Sequence, residues 1–125
     1  MILLLDSHTL FWVLRGSPEL SPRARQAIED DAHEVFFSPV SCYELALKAA
    51  LGKMPEFPGY LPVIAHGQGY KELPVTSAHA DRAARLPLTH RDPWDRLIVG
   101  QALSEVMTVV TVDPEIAALG APTFW

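Results

Sequence analysis

A short apolar run at the start of the chain, residues 2–5, ends abruptly on Asp6. An unbroken apolar run of this length is typical of a strand buried on both faces, as in a parallel sheet. The apolar residues between Leu10 and Leu14 follow at helical spacing, which predicts a helix after the strand. Asp6 would then lie at the carboxyl end of the first strand, where open α/β sheets bind their ligands.

Short strands and helices alternate along the rest of the chain. Apolar and β-branched runs predict further strands at 35–38, 71–75 and 107–112. Capping residues, turns and apolar spacing predict helices at 22–31, 41–52, 60–66, 77–86, 97–103 and 115–119. This alternation predicts an α/β protein whose parallel sheet carries helices on both faces.

Length and composition fit a single domain, residues 1–125, with 49% hydrophobic and 20% charged residues. The single cysteine, Cys42, suits a reducing cytoplasm. The apolar start lacks a basic region and is interrupted by Asp6 and His8, so we expect no signal peptide. No apolar run approaches the roughly 18 residues of a membrane span. We therefore expect a cytoplasmic protein.

Four acids, Asp6, Glu44, Asp95 and Asp113, each fall where a strand or loop leads into a helix. In a parallel sheet with right-handed crossovers, these positions share one edge. Carboxylates gathered at one edge repel each other unless a cation neutralises them. Oxygen donors without histidine or cysteine suit Mg²⁺ or Mn²⁺, and such a site can activate water for phosphodiester hydrolysis.

The alternative interpretation is that each acid only caps or begins a helix. Ser41 and Glu44 have the spacing of a capping box. Asp92, Pro93 and Asp95 have the spacing of the N-cap, N1 and N3 positions, where the helix dipole favours an anion. The two remaining acids can cap helices in the same way. Taken singly, each acid fits this interpretation better than a metal site.

Four segments, taken together and in order, resemble the PIN-domain nucleases and, more narrowly, the VapC-type toxins of bacterial toxin–antitoxin pairs. They are the strand ending in Asp6-Ser7, SCYELA at 41–46, HRDPWDRLIVGQA at 90–102 and VTVD at 110–113. The resemblance implies a three-layer α/β/α PIN-like fold, with a mainly parallel sheet of about four to five strands. It also implies an endoribonuclease dependent on Mg²⁺ or Mn²⁺, a homodimer, and a small VapB-type antitoxin whose C-terminal peptide blocks the active groove.

The resemblance also implies roles for individual residues. Asp6 would be a direct metal ligand, and Glu44 a ligand or a residue that positions water. Asp95 matches the third acid of the family, and Asp113 matches the fourth, which often acts through water. Asp92 is an auxiliary candidate that its capping role alone explains.

Further candidates lie around these acids. Thr111 and Ser7 match small hydroxyl positions that hydrogen-bond ligand carboxylates, although both also suit ordinary strand and cap positions. Basic residues flank the motifs and are candidate RNA contacts or members of a solvated helix face: Lys48, Lys53, Arg91 and Arg96.

The net charge of −5 bears against RNA binding, because phosphate contacts need a basic surface. Two bound divalent ions would reduce the net charge to about −1. An aspartate-nucleophile phosphatase would need a second Asp two residues after Asp6, where His8 stands. The principal alternative is a catalytically weak or inactive PIN-like module that only binds a protein, but the presence of all four acids favours the enzyme.

Overall fold

The structure, a computed structural model, describes all 125 residues and contains a five-stranded parallel sheet. Its strands, in chain order, are β1 (Ile2–Leu5), β2 (Glu34–Phe37), β3 (Lys71–Glu72), β4 (Thr108–Val110) and β5 (Thr123–Phe124). Their order across the sheet is β3-β2-β1-β4-β5, and every neighbouring pair is parallel. The predicted α/β class is confirmed.

Seven helices connect the strands. They are α1 (Ser7–Leu14), α2 (Pro22–Glu29), α3 (Pro39–Ala50), α4 (Leu61–Gly67), α5 (Ser77–Ala84), α6 (Pro93–Glu105) and α7 (Pro114–Ala118). None of them is long and apolar enough to cross a membrane.

The central strand β1 divides the core into two layers. Leu3 and Leu5 point into a cluster that includes residues of α1, α2 and α4, whereas Leu4 points into a cluster that includes residues of α6 and α7. All three leucines are fully buried, and burial of each contributes about 1.5–3 kcal/mol to folding. The apolar run at residues 2–5 therefore forms a central strand that is covered on both faces, as the sequence predicts.

Helix α3 begins earlier than the sequence suggests. Ser38 caps it, since its Oγ accepts a hydrogen bond from Val40 N at 3.1 Å, and Pro39 occupies the first helical position. The predicted start at 41 is therefore wrong, and no capping box involving Ser41 begins this helix. Glu44 lies in the second turn of α3, so capping does not account for it.

Two predicted strands are longer than the observed ones, and the sequence pattern does not predict β5. Strand β3 stops at Glu72, two residues before Pro74, which has no N–H for the ladder. Strand β4 spans only Thr108–Val110 of the predicted run. The edge strand β5 has two residues, which is too short to produce an alternating pattern.

Helices α5 and α6 approach each other closely at Gly100. A Cβ atom on this residue would lie 2.7 Å from the backbone oxygen of His79 and 2.9 Å from the Cβ of Ala83. Thr76 caps α5 as predicted, with its hydroxyl accepting from the N–H of His79. The small side chain at 100 therefore sets the distance between the two helices.

We expect Gly100→Ala to lower the free energy of unfolding by about 1–3 kcal/mol, because the new methyl group meets backbone atoms that cannot rotate away. Chemical denaturation measures this loss. Gly67→Ala is the matched control, since Gly67 is also helical and has open space around its Cβ position, so that variant should be no less stable than the parent. Equal stability of the two variants would contradict the close contact.

Candidate active site

A small polar cleft lies at the carboxyl ends of β1 and β4. Its volume is about 170 Å³, and none of its lining residues is hydrophobic. The cleft brings together all four predicted acids, the auxiliary Asp92, and Glu115, an acid that is not among the predicted site residues. The lining residues are Asp6, Ser7, His8, Glu44, Lys48, His90, Asp92, Asp95, Asp113 and Glu115.

Asp6 is the most buried acid of the cleft, with 5% of its surface exposed. It follows β1 and caps α1, so its Oδ1 accepts from Thr9 N at 2.8 Å. Its Oδ2 accepts from the Thr111 hydroxyl at 2.5 Å. Burial raises the pKa of Asp6 despite these hydrogen bonds, which favour the charged form.

Thr111 connects two of the acids. While its hydroxyl donates to Asp6, the same oxygen accepts from Asp113 N at 3.0 Å. Asp113 in turn caps α7, with its Oδ1 accepting from Glu115 N at 2.9 Å. The ends of β1 and β4 are thus joined through one threonine side chain.

Asp95 lies in the first turn of α6, behind the cap that Asp92 provides. The Asp92 Oδ1 accepts from Trp94 N at 2.9 Å and from Asp95 N at 3.3 Å. Burial raises the pKa of Asp95 to about 6, and the hydrogen bond with His90 offsets this only in part. The charges of Asp92 and Asp113 add to the increase, since both lie close to Asp95.

Basic groups pair with several of the acids. Lys48 Nζ lies 2.6 Å from Glu44 Oε2, one helical turn along α3. His90 lies between two carboxylates, with Nε2 2.8 Å from Asp95 Oδ2 and Nδ1 2.9 Å from Glu115 Oε2. The hydrogen bond with Asp95 raises the pKa of His90. Both ring nitrogens can donate only when the ring is protonated.

The cleft suits a divalent cation by the chemistry of its donors, although its side chains are not arranged around one. No three His, Cys, Asp or Glu side chains are positioned to hold a single ion, and Glu44 and Asp95 are turned toward Lys48 and His90. An all-oxygen donor set fits Mg²⁺ or Mn²⁺. A bound cation would also relieve the cost of the buried charges, which the raised pKa values of Asp6 and Asp95 report.

Helix capping explains only part of this cluster. Asp6, Asp92 and Asp113 each cap a helix, in agreement with the alternative interpretation. Glu44 and Asp95 do not cap a helix, yet both side chains line the cleft. Placing carboxylates that cap no helix beside other acids costs stability, which the pairs with Lys48 and His90 offset only in part, and this favours a functional site.

The remaining predicted residues differ in their positions. Ser7 lines the cleft, but its hydroxyl donates to Ser41 at 3.1 Å rather than to an acid. Lys53 and Arg91 are exposed and do not line the cleft. Lys48 is the only one of the four basic candidates in its lining.

Arg96 has a different role from the RNA contact that its position suggested. Its guanidinium donates to backbone oxygens at the end of α5 and in the loop that follows: Pro87 (2.6 Å), His90 (2.9 Å), Ala83 (2.9 Å), Leu86 (3.0 Å) and Ala84 (3.4 Å). Because these oxygens engage its donors, Arg96 is not free to meet a phosphate. Instead it fastens the loop that carries His90 to the helix that carries Asp95.

Three residues that shape the cleft are not among the predicted site residues: Thr9, His90 and Glu115. The Thr9 hydroxyl donates to Val110 O at 2.7 Å and fixes α1 to β4. His90 and Glu115 form the pairs described above. His90 belongs to the quoted motif and Glu115 follows Asp113 by two residues, but only the fold reveals that they meet.

The PIN-domain family model matches residues 3–122, and the chain belongs to this family. It is 32% identical, over 130 residues, to Ribonuclease VapC22 of Mycobacterium tuberculosis (strain ATCC 25618 / H37Rv), in an alignment that covers 98% of this chain and 97% of that protein. This relative places the chain in the VapC branch of the family. The resemblance noted in the sequence is confirmed.

Solved structures with low sequence identity share the fold. DNA-bound VapBC from Salmonella typhimurium has a TM-score of 0.73 at 19% identity, covering 99% of this chain and 97% of that one. VapBC2 from Rickettsia felis, bound to a DNA fragment from their promoter, has a TM-score of 0.70 at 13% identity, covering 99% and 98%. The predicted PIN-like arrangement around a parallel sheet is therefore confirmed.

Asp95→Asn should reduce the pH dependence of stability. Between about pH 4 and pH 6 the folded protein keeps a proton on Asp95 that the unfolded chain releases. The free energy of unfolding therefore falls as the pH rises through this window, by at most about 3 kcal/mol for this one group. Denaturation at both pH values should show a smaller fall in the variant. An unchanged fall would contradict the raised pKa.

Arg96→Lys should destabilise the protein by about 1–3 kcal/mol, because three ammonium donors cannot replace the guanidinium and partly buried backbone oxygens lose partners. Amide hydrogen exchange should accelerate most in residues 85–91. Arg85→Lys is the control, because Arg85 is exposed and forms only a surface pair with Asp81, and should change stability by less than about 0.5 kcal/mol. Similar effects of the two substitutions would contradict the role of Arg96.

Proposed function

We propose that this protein is a Mg²⁺- or Mn²⁺-dependent endoribonuclease and the toxin of a toxin–antitoxin pair. The observation that carries the proposal is the polar cleft, where two carboxylates that cap no helix, on Glu44 and Asp95, join the buried Asp6. Similarity to a protein named as a ribonuclease supports RNA as the substrate.

In the proposed site, Asp6, Glu44, Asp95 and Asp113 would hold the metal. When bound, the ion supplies Lewis acidity, lowers the pKa of water and offsets negative charge on the phosphoryl group. Thr111 keeps Asp6 oriented by donating to its Oδ2. Asp92 adds negative charge to the cleft while one of its oxygens caps α6.

Lys48 is the residue we assign to the substrate phosphate. Its ammonium group lies inside the cleft and is bound to Glu44 through a single contact. If Glu44 held a metal, that ammonium group would be free to contact a phosphate oxygen. Lys53 and Arg91 are exposed outside the cleft and would act only on more distant phosphates of a long substrate.

The proposed partner is a small VapB-type antitoxin. Support comes from solved structures of similar fold, which contain VapB–VapC complexes from Salmonella typhimurium and Rickettsia felis. We also propose that the protein forms a homodimer, because its resemblance to the VapC-type toxins implies one. In this proposal a peptide of the antitoxin would cover the acids of the cleft and thereby exclude both metal and RNA.

A protein-binding module without nuclease activity is the second candidate. It is favoured by the pairing of Glu44 with Lys48 and of Asp95 with His90, because acids neutralised by the chain's own basic groups need no metal. The two candidates differ in whether the cleft binds a divalent cation.

Calorimetric titration with Mn²⁺ distinguishes these candidates. We expect the antitoxin-free protein to bind Mn²⁺ and Asp6→Asn to lose this binding while remaining folded, since Asn preserves the helix cap. Asp81→Asn is the matched control, because Asp81 is exposed and does not line the cleft. In an RNA-cleavage assay, Asp6→Asn should lose more than about 100-fold in rate, the upper end of the loss expected for a supporting residue.

Two results would contradict the proposed enzyme. One is a folded, antitoxin-free protein that binds no Mn²⁺ at millimolar concentration, which would favour the binding module. The other is unchanged Mn²⁺ binding in the double variant Asp6→Asn with Asp95→Asn, which would place any metal outside the predicted acids.

A further inference from the structure

A row of aromatic rings leads away from the cleft along one side of the molecule. It consists of His8, Trp12 and Trp125, here called the aromatic ridge. The ring centroids of His8 and Trp12 lie 5.5 Å apart at an interplanar angle of 34°. Those of Trp12 and Trp125 lie 5.8 Å apart at 62°. His8 also lines the acidic cleft, so the ridge begins where the proposed chemistry takes place.

The ridge is accessible to a ligand. His8 and Trp12 are four residues apart on α1 and therefore share one helix face. His8 is exposed, whereas Trp12 and Trp125 are half-buried and contact the core with only part of their surfaces. All three rings therefore keep part of their surface in contact with solvent.

A positive charge lies at the far end of the ridge. The Arg23 guanidinium is 4.4 Å from the centroid of the Phe124 ring and donates to Trp125 O at 3.3 Å. Arg23 is exposed and forms no ion pair. Aromatic faces combined with an unpaired cation are the features with which proteins bind single-stranded nucleic acids. The acids of the cleft, in contrast, would repel a nucleic acid in the absence of metal.

We propose that the aromatic ridge binds unpaired bases of the RNA next to the phosphodiester in the cleft. This inference rests on the proposed nuclease function, since RNA would reach the ridge by passing from the acids across His8. A base paired in a duplex has no free face for Trp12, so the ridge selects single-stranded segments. Arg23 then binds a phosphate of the same strand. Stacking accepts any base, so the ridge selects for strand state more than for sequence.

The test measures the affinity of a fluorescently labelled single-stranded RNA of mixed sequence. All proteins keep Asp6, and Ca²⁺, which also binds oxygen ligands but is a weaker Lewis acid, replaces Mn²⁺ so that the cleft acids are neutralised while the RNA is bound but not cut. We expect Trp12→Leu under these conditions to weaken binding by about 5- to 150-fold, the range for one lost base-stacking contact. Tyr60→Leu is the matched control: Tyr60 is 72% exposed and is not part of the ridge, so affinity should be unchanged.

A second variant and a second measurement distinguish a loss of RNA contacts from misfolding of the variant. His8→Leu replaces an exposed side chain and should weaken RNA binding without lowering the melting temperature. Mn²⁺ binding should be the same for Trp12→Leu and the parent. A duplex of the same sequence should bind equally to the parent and to both ridge variants.

The possible failures have distinct outcomes. Undiminished affinity for single-stranded RNA in both ridge variants would overturn the ridge and leave the nuclease proposal intact. Absence of Mn²⁺ and RNA binding in the parent protein would overturn both proposals. Variants that keep RNA affinity but lose affinity for the antitoxin would assign the ridge to the protein partner and overturn its role in RNA binding.

Discussion

The hydrogen bond between Thr111 and Asp6 is the contact on which the cleft depends. It joins the carboxyl ends of β1 and β4, and the same hydroxyl also receives the N–H of Asp113. Thr9 reinforces the junction from α1 by donating to Val110 O. One buried carboxylate is thereby held in a single orientation while its pKa is raised by burial. The sheet therefore holds Asp6 rigidly at the most buried position of the cleft, where a negative charge costs the most free energy.

The sequence was sufficient for the parts of the structure that local chemistry determines. An apolar run that ends on an acid indicated the central strand and Asp6, and Asp92-Pro93 indicated the start of α6. Convergence of the acids followed from parallel topology. The start of α3 was mistaken because Ser38-Pro39 and Ser41 both offer plausible caps, and the sequence alone does not show which one the helix uses.

The sequence does not predict which side chains pair with each other when the pairing depends on tertiary contacts. His90 stands between Asp95 and Glu115 only because the loop before α6 folds back toward α7. Arg96 looks like a surface cation in sequence, yet its donors are taken up by backbone oxygens. A basic residue beside a motif can therefore be a free surface cation or be bound to backbone oxygens, and only the three-dimensional structure shows which. The position of Trp125 beside Trp12 is likewise non-local, since the two residues are 113 positions apart in the sequence.

The acids of the cleft are carried by different parts of the molecule. Asp6 and Asp113 follow the ends of sheet strands, whereas Asp95 lies on α6 and its partner His90 lies in the preceding loop, which Arg96 fastens to that helix. The space between these groups is set by how α6 rests on the sheet, through Ile98, Val99 and Ala102 in the apolar layer that contains Leu4 and Val109. The width of the cleft is thus determined by the volume of side chains buried beneath it, so hydrophobic residues that never meet a ligand govern the spacing of the carboxylates.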